Sequence, residues 1–396
     1  MTYVAISEAD RTLRSEVREF LDEAFPVKRQ IVALIEQHEH QEQIDQVWER
    51  GFWRQLAERG WLGLGIPVEY GGSGGSAFQR NLFVREMSYY GAPYPRTATQ
   101  IVAPALLAFG SEEIKQRFLP RIAAGEINIC LGYTEPDSGT DLASVRSRAT
   151  REGDGYVVNA QKMYTTRAHR CEYAYMALRT NSETPKHAGI SVLIVDMKAP
   201  GVSIEPLHTL GGRTNITYYD DVWVDAVNLV GEENRGWRIL THSLGLERIA
   251  VFPTGHIQRF FEELAHLARQ PRPDGSTPWD SPIVRKKLVD LQVDMRILQA
   301  LMDGAMAEVL ATDTLPSYMA AGIKTFLTEY KQRLADAGMQ ILGPYGQYTE
   351  QSDQAPFHGI METLWRDAIV HTFGGGANEV QRDIIATSWL GLPRNR

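Results

Sequence analysis

The sequence predicts a mostly helical protein with a small β-domain in the middle of the chain. Three observations support this class. Apolar residues recur at helical spacing through residues 1–127, short runs rich in Val, Ile, Tyr and Thr fill residues 128–235, and helical spacing returns through residues 236–396. We therefore expect an N-terminal helical domain, a β-domain and a C-terminal four-helix bundle with these boundaries.

The N-terminal segment contains clear helix signals. Ser7, followed three residues later by Asp10, is typical of a capping box, in which each side chain accepts the other residue's backbone N–H. The apolar residues that follow keep helical spacing: Leu13, Val17, Phe20 and Leu21. The stretches QVWERGFWRQLAERG and APALLAFGSEEIKQRFLPRIAAGE predict further helices.

The middle of the chain has the composition of strands. Its runs are bounded by Gly, Pro and Asp, and include GYVVNAQKMYTT, EYAYMALRT, GISVLIVDM and NITYYDDVWV. They lack the long intervening helices that a parallel βαβ sheet requires, and no GxGxxG motif follows a strand. The pattern therefore argues against a Rossmann fold.

A long apolar seam marks the C-terminal bundle. Its members follow one another in alternating steps of four and three: Val284, Leu288, Leu291, Met295, Leu298, Met302, Ala305 and Val309. Such a stripe packs one helix against its neighbours. We interpret its methionines as core residues.

Composition and charge limit the possible partners. The formal net charge is -8 with acids and bases interspersed, which argues against nucleic acid because phosphate binding needs a concentrated basic face. The two cysteines, Cys130 and Cys171, form no CxxC or Cys/His cluster, so neither a disulfide framework nor a metal site is predicted.

Targeting signals are not evident in the sequence. The first residues include Glu8 and Asp10 and no apolar run typical of a signal peptide. No apolar segment approaches the ~18 residues that a membrane span requires. We therefore expect a cytoplasmic protein without membrane contact.

Several motifs occur in a specific order. GYTEPDSGTD (132–141) is followed by GDGYVVNAQKMYTT (153–166), and GSEEIKQRFLPRIAAGE precedes both. After them come DDVWVDAVNLVGEENRGW (220–237), LERIA (246–250), QILGPYG (340–346) and RDAIV with VQR (366–382). Alone, the first motif would indicate little more than a turn between strands. Taken together, nearly the whole chain resembles the acyl-CoA dehydrogenase family.

The resemblance implies a fold and a reaction. The fold has a helical domain, a small β-barrel-like domain and a C-terminal four-helix bundle. The reaction uses FAD to remove the α- and β-hydrogens of an acyl-CoA thioester, and an electron-transfer flavoprotein receives the electrons. Because the α-hydrogen is weakly acidic, the site must polarise the carbonyl and hold a carboxylate against the α-carbon. The β-hydrogen leaves as hydride to the flavin.

The resemblance also assigns residues to the cofactor and the substrate. Five positions around the first motif are implied in cofactor binding: Leu131, Tyr133, Thr134, Gly139 and Thr140. The family's Trp-x-Thr beside the flavin corresponds to Tyr164, Thr165 and Thr166. Further cofactor positions are Gln340, Gly343, Ala377, Asn378 and Glu379. The implied substrate positions are Thr140, Arg248 and Gly375.

One family position lacks its functional group. Many members carry their catalytic Glu in a Tyr-Glu-Gly-Thr segment before the last helix, and Gly375 takes that place here. A subgroup of the family instead carries the base immediately before an Arg on the first long helix of the bundle, and that pair is similar to Glu247 and Arg248. The resemblance therefore implies that Glu247 is the base. The missing side chain at residue 375 leaves room for a bulky, branched or ring-bearing acyl group.

Two neighbours of the glycine run have ordinary structural roles in this interpretation. Glu379 falls in the first turn of the last helix, where a carboxylate interacts favourably with the helix dipole. Asn378 is expected to cap that helix in place of the family's Thr. Glu247 could itself be an ordinary helix residue in an ion pair.

The family's Arg-Phe-Gly segment, which reaches the FAD of a neighbouring subunit, is replaced by RQPRPDGSTPWDSPIV. Three alternatives for function and assembly therefore stay open. The chain is expected to form a homotetramer or homodimer, with a heterotetramer as the variant. It could be a non-catalytic or half-site subunit that pairs with a related chain. It could also be an oxidase or dehydrogenase of carrier-protein thioesters.

Overall fold

The predicted order of helical, β and helical segments is confirmed. The computed structural model describes residues 7–25, 45–250, 254–271, 274–312, 315–349 and 351–393, apart from the side chains of residues 246–250. The described helices, in chain order, are α1 (Glu8–Ala24), α2 (Gln46–Glu58), α3 (Ala77–Tyr90), α4 (Ala103–Phe109), α5 (Glu112–Ala123), α6 (Gly236–Ala250), α7 (Gly255–Leu267), α8 (Pro282–Thr312), α9 (Ser317–Leu342), α10 (Ile360–Val370) and α11 (Asn378–Ser388).

Local sequence signals place the helices correctly where they are strong. The capping box at the start of α1 forms: the backbone N–H of Ser7 donates to Asp10 Oδ2 at 3.1 Å, and that of Asp10 donates to Ser7 Oγ at 3.1 Å. The apolar seam of α8 is also confirmed, because its central members are buried: Leu288, Leu291, Met295, Leu298 and Ala305.

The strands form a single mostly antiparallel sheet. They are β1 (Ile129–Gly132), β2 (Arg148–Glu152), β3 (Gly155–Lys162), β4 (Tyr173–Arg179), β5 (Ile190–Asp196), β6 (Val202–Thr209), β7 (Gly212–Asp225) and β8 (Leu229–Val230). Their order is β6-β7-β3-β2-β4-β5-β8, and β1 pairs with β4 beside this path. Both β1 and β2 run parallel to β4: β1 pairs along its first half, and Arg148 of β2 pairs with Arg179 at its end.

The sheet is open, whereas the family resemblance implied a barrel-like domain. Strand β6 is largely exposed, as an edge strand facing solvent must be, and β8 is too short to close the other edge. The sheet still encloses a core, because side chains of β3 and β7 pack with those of β4 and β5: Tyr156, Val158, Val222, Met176 and Leu193. The opposite face packs against α4, α5 and α6.

The chain divides into two compact units. The bundle unit comprises Met1–Ile44, Ala77–Pro93 and Phe252–Arg396, and the sheet unit comprises Asp45–Ser76 and Tyr94–Val251. The expected N-terminal domain, residues 1–127, thus contributes to both units. Helix α6, expected to begin the C-terminal bundle, belongs to the sheet unit because Ser243 packs against β4 through Tyr175.

Two features hold the bundle unit together. Helix α9 contacts α8, α10 and α11. Glu86 of α3 is buried and accepts from Arg14 Nε and Arg18 Nε of α1, each at 2.7 Å. These paired bonds compensate the cost of removing the Glu86 carboxylate from water.

Candidate active site

The turn after β1 presents polar groups to solvent. Glu135 and Ser138 exchange backbone hydrogen bonds of 2.9 and 3.2 Å, which folds the chain back on itself. The Ser138 hydroxyl donates to the Asp141 carbonyl at 2.8 Å. Gly139 and Thr140 lie exposed between these anchors. Gly139 and Thr140 are therefore accessible to a ligand, whereas Tyr133, another predicted cofactor position of this motif, is buried.

A buried ion pair fixes this turn to the end of β3. Lys162 is fully buried and its Nζ donates to Glu135 Oε1 at 2.7 Å, the Ala177 carbonyl at 2.8 Å and the Tyr133 carbonyl at 3.2 Å. All three N–H donors of the ammonium are therefore used. Glu135 also accepts the backbone N–H groups of Arg146 and Ser147, at 2.7 and 3.0 Å.

The surroundings of this pair shift the pKa of both groups. Burial lowers the pKa of Lys162 to about 8, against the opposing effect of Glu135. Burial alone would raise the pKa of Glu135, but the Lys162 charge and the backbone N–H groups lower it. Both groups are thus charged at neutral pH.

The two sequence motifs meet directly at this pair. The N–H of Met163 donates to the Thr134 carbonyl at 2.9 Å, so the residues after β3 continue beside the turn after β1. Tyr164 follows with a left-handed φ of 55° and a side chain that is 56% exposed. A bulky residue in this conformation is a backbone outlier of the kind found at ligand sites.

The two threonines after Tyr164 differ in their surroundings. Thr166 is exposed, whereas Thr165 is fully buried and its hydroxyl lies 3.4 Å from that of Thr217. The Asn215 amide group donates to the Thr165 carbonyl at 3.0 Å. The side chain of Thr165 therefore supports the turn, whereas Tyr164 and Thr166 expose theirs, and the assignment of all three to the cofactor stays a prediction.

A second ionic contact anchors the far end of this turn. Arg167 also has a left-handed φ, of 61°, and its guanidinium binds the buried carboxylate of Glu49 on α2. Arg170 approaches the same carboxylate at 3.7 Å. The segment 164–166, which exposes Tyr164 and Thr166, is thus held on one side by Lys162 and on the other by Glu49.

Tyr175 joins the first motif to α6. In the sheet it pairs with Leu131, its ring centroid lies 6.2 Å from that of Tyr133, and its hydroxyl lies 3.2 Å from that of Ser243. Burial raises the pKa of Tyr175. Tyr175 therefore links α6, the helix that carries Glu247, to strand β1 with Leu131 and to Tyr133 just after it.

Glu247 and Arg248 lie on α6, four and five residues after Ser243. Their side chains are outside the described residues. The predicted base and the predicted substrate-binding Arg248 therefore stay predictions.

In the bundle unit, the glycine run has an irregular backbone. Gly375 and Gly376 adopt left-handed φ values of 65° and 96°. Lys324 of α9 is fully buried, and its Nζ donates to the Gly376 carbonyl at 2.6 Å, to Asn378 Oδ1 at 2.8 Å and to the Thr372 carbonyl at 3.1 Å. The path of this loop is thus set by glycine and by a buried cation.

The residues after the glycines depart from two predictions. Asn378 was expected to cap α11, but the cap position is Ala377 and has no side-chain bond. The Asn378 side chain is instead buried and bonded to Lys324 and Thr328, which also removes it from the groups that face a ligand. Glu379 is exposed in the first turn of α11, as expected for a carboxylate near a helix N-terminus.

The predicted positions at the end of α9 are less distinctive. Gln340 is exposed and its Oε1 accepts from Lys287 Nζ at 2.6 Å, so this acceptor is already engaged. Gly343 ends α9 with φ 59° and has open space around its Cα hydrogen. Neither observation identifies a ligand contact.

Sequence reasoning missed the residues that support the site. Glu135 stood inside the quoted motif without being singled out, and nothing in the local pattern marked Lys162, Tyr175, Ser243 or Lys324. Lysine is rarely buried, so the residue type alone favours a solvated side chain at each of these positions. Lys162 also ends a strand that contains Asn159 and Gln161, so its charge does not stand out in the sequence.

Metal and membrane features are absent from the described residues. They contain no group of three or more His, Cys, Asp or Glu side chains suited to a metal ion. In the same part of the chain, no helix is both long and apolar enough to cross a bilayer.

Comparison with known proteins identifies the class. Models of the acyl-CoA dehydrogenase N-terminal, middle and C-terminal domains match residues 7–126, 130–222 and 234–390. The chain belongs to the acyl-CoA dehydrogenase family. It is an oxidoreductase that acts on acyl-CoA, and this family implies a flavin cofactor.

Individual relatives are similar over almost the whole chain. Acyl-CoA dehydrogenase FadE26 of Mycobacterium tuberculosis is 42% identical over 347 residues, covering 86% of this chain and 87% of that protein. The ChsE4-ChsE5 complex of Mycobacterium tuberculosis contains a chain that is 37% identical, with a TM-score of 0.87 and full coverage of both chains. The Tcur3481-Tcur3483 steroid ACAD contains one that is 35% identical, with a TM-score of 0.88, covering 99% of this chain and 100% of that one.

The buried pair in the sheet unit gives a stability prediction. Lys162→Met and Glu135→Gln should each lower the free energy of unfolding by about 3 kcal/mol, because each leaves its partner buried without a counter-group. The double variant should lose less than the sum of the two single losses. Denaturant titration of the three variants measures this.

An exposed ion pair in the same region provides the control. Lys186 Nζ lies 2.7 Å from Asp141 Oδ2 with both side chains about half exposed, so Lys186→Met should change the free energy of unfolding by less than about 1 kcal/mol. Similar losses from Lys162→Met and Lys186→Met would contradict the assigned role of the buried pair.

Proposed function

We propose that this protein catalyses the FAD-dependent α,β-dehydrogenation of an acyl-CoA to the trans-2-enoyl-CoA, with a bulky, branched or ring-bearing acyl group. The observation that supports this best is the meeting of the two motifs. The Lys162–Glu135 pair and the Met163–Thr134 hydrogen bond place exposed Thr140 and exposed Tyr164 and Thr166 on neighbouring turns.

The residues present fit a flavin. Thr140 and Thr166 offer exposed hydroxyls, Gly139 allows close approach to the backbone, and Tyr164 offers an aromatic face held in an unusual conformation. Leu131, Tyr133 and Thr134 would contribute through the strand end and turn that Lys162 fixes. When bound, FAD supplies the acceptor for the β-hydrogen and its electron pair.

We assign the removal of the α-proton of the substrate to the carboxylate of Glu247. The helix that carries it is fixed to β4 through the Ser243–Tyr175 contact, and the same tyrosine pairs with Leu131 of the proposed flavin motif. A carboxylate on a regular helix that is fixed to the sheet can meet the geometric demand of proton abstraction. We assign Arg248 to substrate binding.

The alternative carboxylate is less suited to this role. Glu379 is exposed in the first turn of α11, where its carboxylate has the ordinary structural role of an acidic residue beside a helix N-terminus. The glycine run supplies no carboxylate, and Gly375 and Gly376 require a left-handed backbone.

A ring-bearing substrate is supported from two directions. One similar structure is described as a steroid ACAD, and the family's acidic position in the loop is occupied here by Gly375. The absence of a side chain at residue 375 leaves volume for a wide acyl group. We therefore place the protein in steroid or other ring catabolism, with linear fatty acyl-CoA as the weaker substrates.

For organisation, we propose the three segments 1–127, 128–235 and 236–396 as the domains, and an electron-transfer flavoprotein as electron acceptor. The three matched family domains support the segments. For assembly, we favour a tetramer, with a homodimer as the smaller form. Two of the similar structures, the ChsE4-ChsE5 complex and the Tcur3481-Tcur3483 steroid ACAD, carry two component names each, and they make a heteromeric assembly a specific second candidate.

The assembly question has a direct experiment. A chain that is complete by itself should retain stoichiometric FAD when expressed alone and should bleach with its acyl-CoA. Recovery as an apo or inert protein, restored by a related partner chain, would support the half-site alternative.

The assignment of Glu247 as the base predicts how its substitution changes the reaction. Glu247→Gln should retain the yellow cofactor but lower the rate of flavin reduction by at least about 10²-fold, because the general base is lost. Stopped-flow absorbance under anaerobic conditions measures the rate. Glu379→Gln is the matched control, and its flavin should be reduced at the wild-type rate. The reverse pattern would reassign the base.

Substrate class gives the second prediction. Anaerobic titration with straight, branched and ring-bearing acyl-CoA thioesters should bleach the flavin most efficiently with the ring-bearing compounds. A preference for straight-chain thioesters would contradict the proposed role of the glycine run, while leaving the dehydrogenase assignment intact.

A further inference from the structure

A cationic cavity lies at the junction of β2 and β4 in the sheet unit. Its volume is about 220 Å³, and its lining includes three arginines and three hydroxyl residues: Arg148, Arg151, Arg179, Thr150, Thr180 and Ser182. Arg148 and Arg179 are direct neighbours across the parallel β2–β4 pairing. The cavity stands out because the chain as a whole is acidic, with a net charge of -8.

Arg179 forms the fixed wall of this cavity. Its Nε donates to the Val145 carbonyl at 3.4 Å, one terminal nitrogen donates to Lys186 and Ala188 carbonyls at 3.0 Å each, and the other donates to Ala143 and Val145 carbonyls at 2.7 and 3.3 Å. All its partners are neutral. Its charge also interacts with the carboxylate of Glu135, which is already paired with Lys162.

The other two arginines are positioned to receive a ligand. Arg148 is exposed, and its guanidinium has no hydrogen bond or ion pair with any described residue. Arg151 is half exposed and contacts Glu233 at 3.4 Å and the Tyr156 hydroxyl at 3.1 Å. One carboxylate therefore balances three guanidinium groups, which leaves the cavity with a net positive charge.

The hydroxyl groups complete an anion site. Thr150 and Ser182 are exposed, and their hydroxyls make no hydrogen bond within the described part of the chain. A guanidinium fork with nearby hydroxyl donors matches the oxygens of a phosphate group. The carboxylates of Glu152 and Glu183, although close in sequence, do not line the cavity.

The cavity is connected to the candidate active site. The carbonyls that Arg179 binds belong to Ala143 and Val145, which follow exposed Thr140 and Asp141, and to Lys186 and Ala188. Lys186 in turn pairs with Asp141 at 2.7 Å. Arg179 thus bonds both to the segment that follows Thr140 in the chain and to the segment that carries Lys186.

We propose that this cavity is a phosphate-binding subsite in which Arg148 and Arg151 contact the anion and Arg179 fixes the surrounding loops. The ligand class is a phosphomonoester or diphosphate, carried either on the nucleotide end of the thioester substrate or on a free nucleotide. The first source rests on the proposed function, and the second does not.

Binding of inorganic pyrophosphate tests the site directly. Calorimetric titration of the purified flavoprotein at low ionic strength should show binding that Arg148→Gln weakens at least fivefold. Arg146→Gln is the matched control, because Arg146 is exposed on the same segment and pairs loosely with Asp137 at 3.7 Å, outside the cavity. Absence of binding, or equal weakening by both variants, would overturn the proposal.

Kinetics then separate the two ligand sources. If the phosphate belongs to the substrate, Arg148→Gln should raise KM for an acyl-CoA several-fold, leave kcat unchanged and leave KM for the corresponding acyl-pantetheine unaffected. If KM for acyl-CoA is unchanged while pyrophosphate binding is lost, the site takes a free phosphate ligand. A protein without dehydrogenase activity would refute the proposed function, yet the pyrophosphate titration would still decide the subsite.

Discussion

The structure of the candidate site depends on a buried ammonium group. Lys162 has no access to water, so its charge is tolerable only because one carboxylate and two carbonyls take all three of its N–H donors. Those acceptors come from the turn after β1 and from β4. Removing any of them would leave a buried donor without a partner, so the three chain segments can hold only one mutual arrangement.

The same arrangement recurs in the bundle unit. Lys324 is fully buried, and its three acceptors belong to the end of α10, the glycine loop and the start of α11. In both units, an irregular segment that carries predicted functional positions is fixed by a lysine with three oxygen acceptors. Regular strands and helices satisfy their own backbone groups, whereas irregular loops need side chains for this purpose.

The features that the sequence predicts well are local ones. The capping box of α1 requires Ser7 and Asp10 alone, and the seam of α8 follows from helical spacing, so both can be recognised without knowledge of the fold. The short runs rich in Val, Ile, Tyr and Thr likewise identify the β-domain. The motif around Thr140 is rich in turn-forming residues, and the chain does turn there, with Gly139 and Thr140 exposed.

The features that the sequence does not reveal depend on contacts between distant residues. Lys162 meets Tyr133 across 29 positions, and Lys324 meets Asn378 across 54. Thr165 and Thr166 are adjacent and chemically identical, and the alternation of side chains around a left-handed tyrosine decides which one is buried. Asn378 is a good capping residue by type, but its position beside a buried cation gives its amide a different partner.

These contacts also explain why the loop before α11 is a poor place for a base. With φ of 65° and 96°, Gly375 and Gly376 occupy a region that costs a side-chain-bearing residue of order 1 kcal/mol or more, and Lys324 fixes the loop in that shape. A carboxylate there would have to reshape the loop or accept the strain. Helix α6 imposes no such cost, because its backbone is regular and its contact with Tyr175 is made by Ser243, one turn earlier. In the mechanism that we propose, the base therefore lies on a regular helix, and the glycine loop needs no side chain at residue 375.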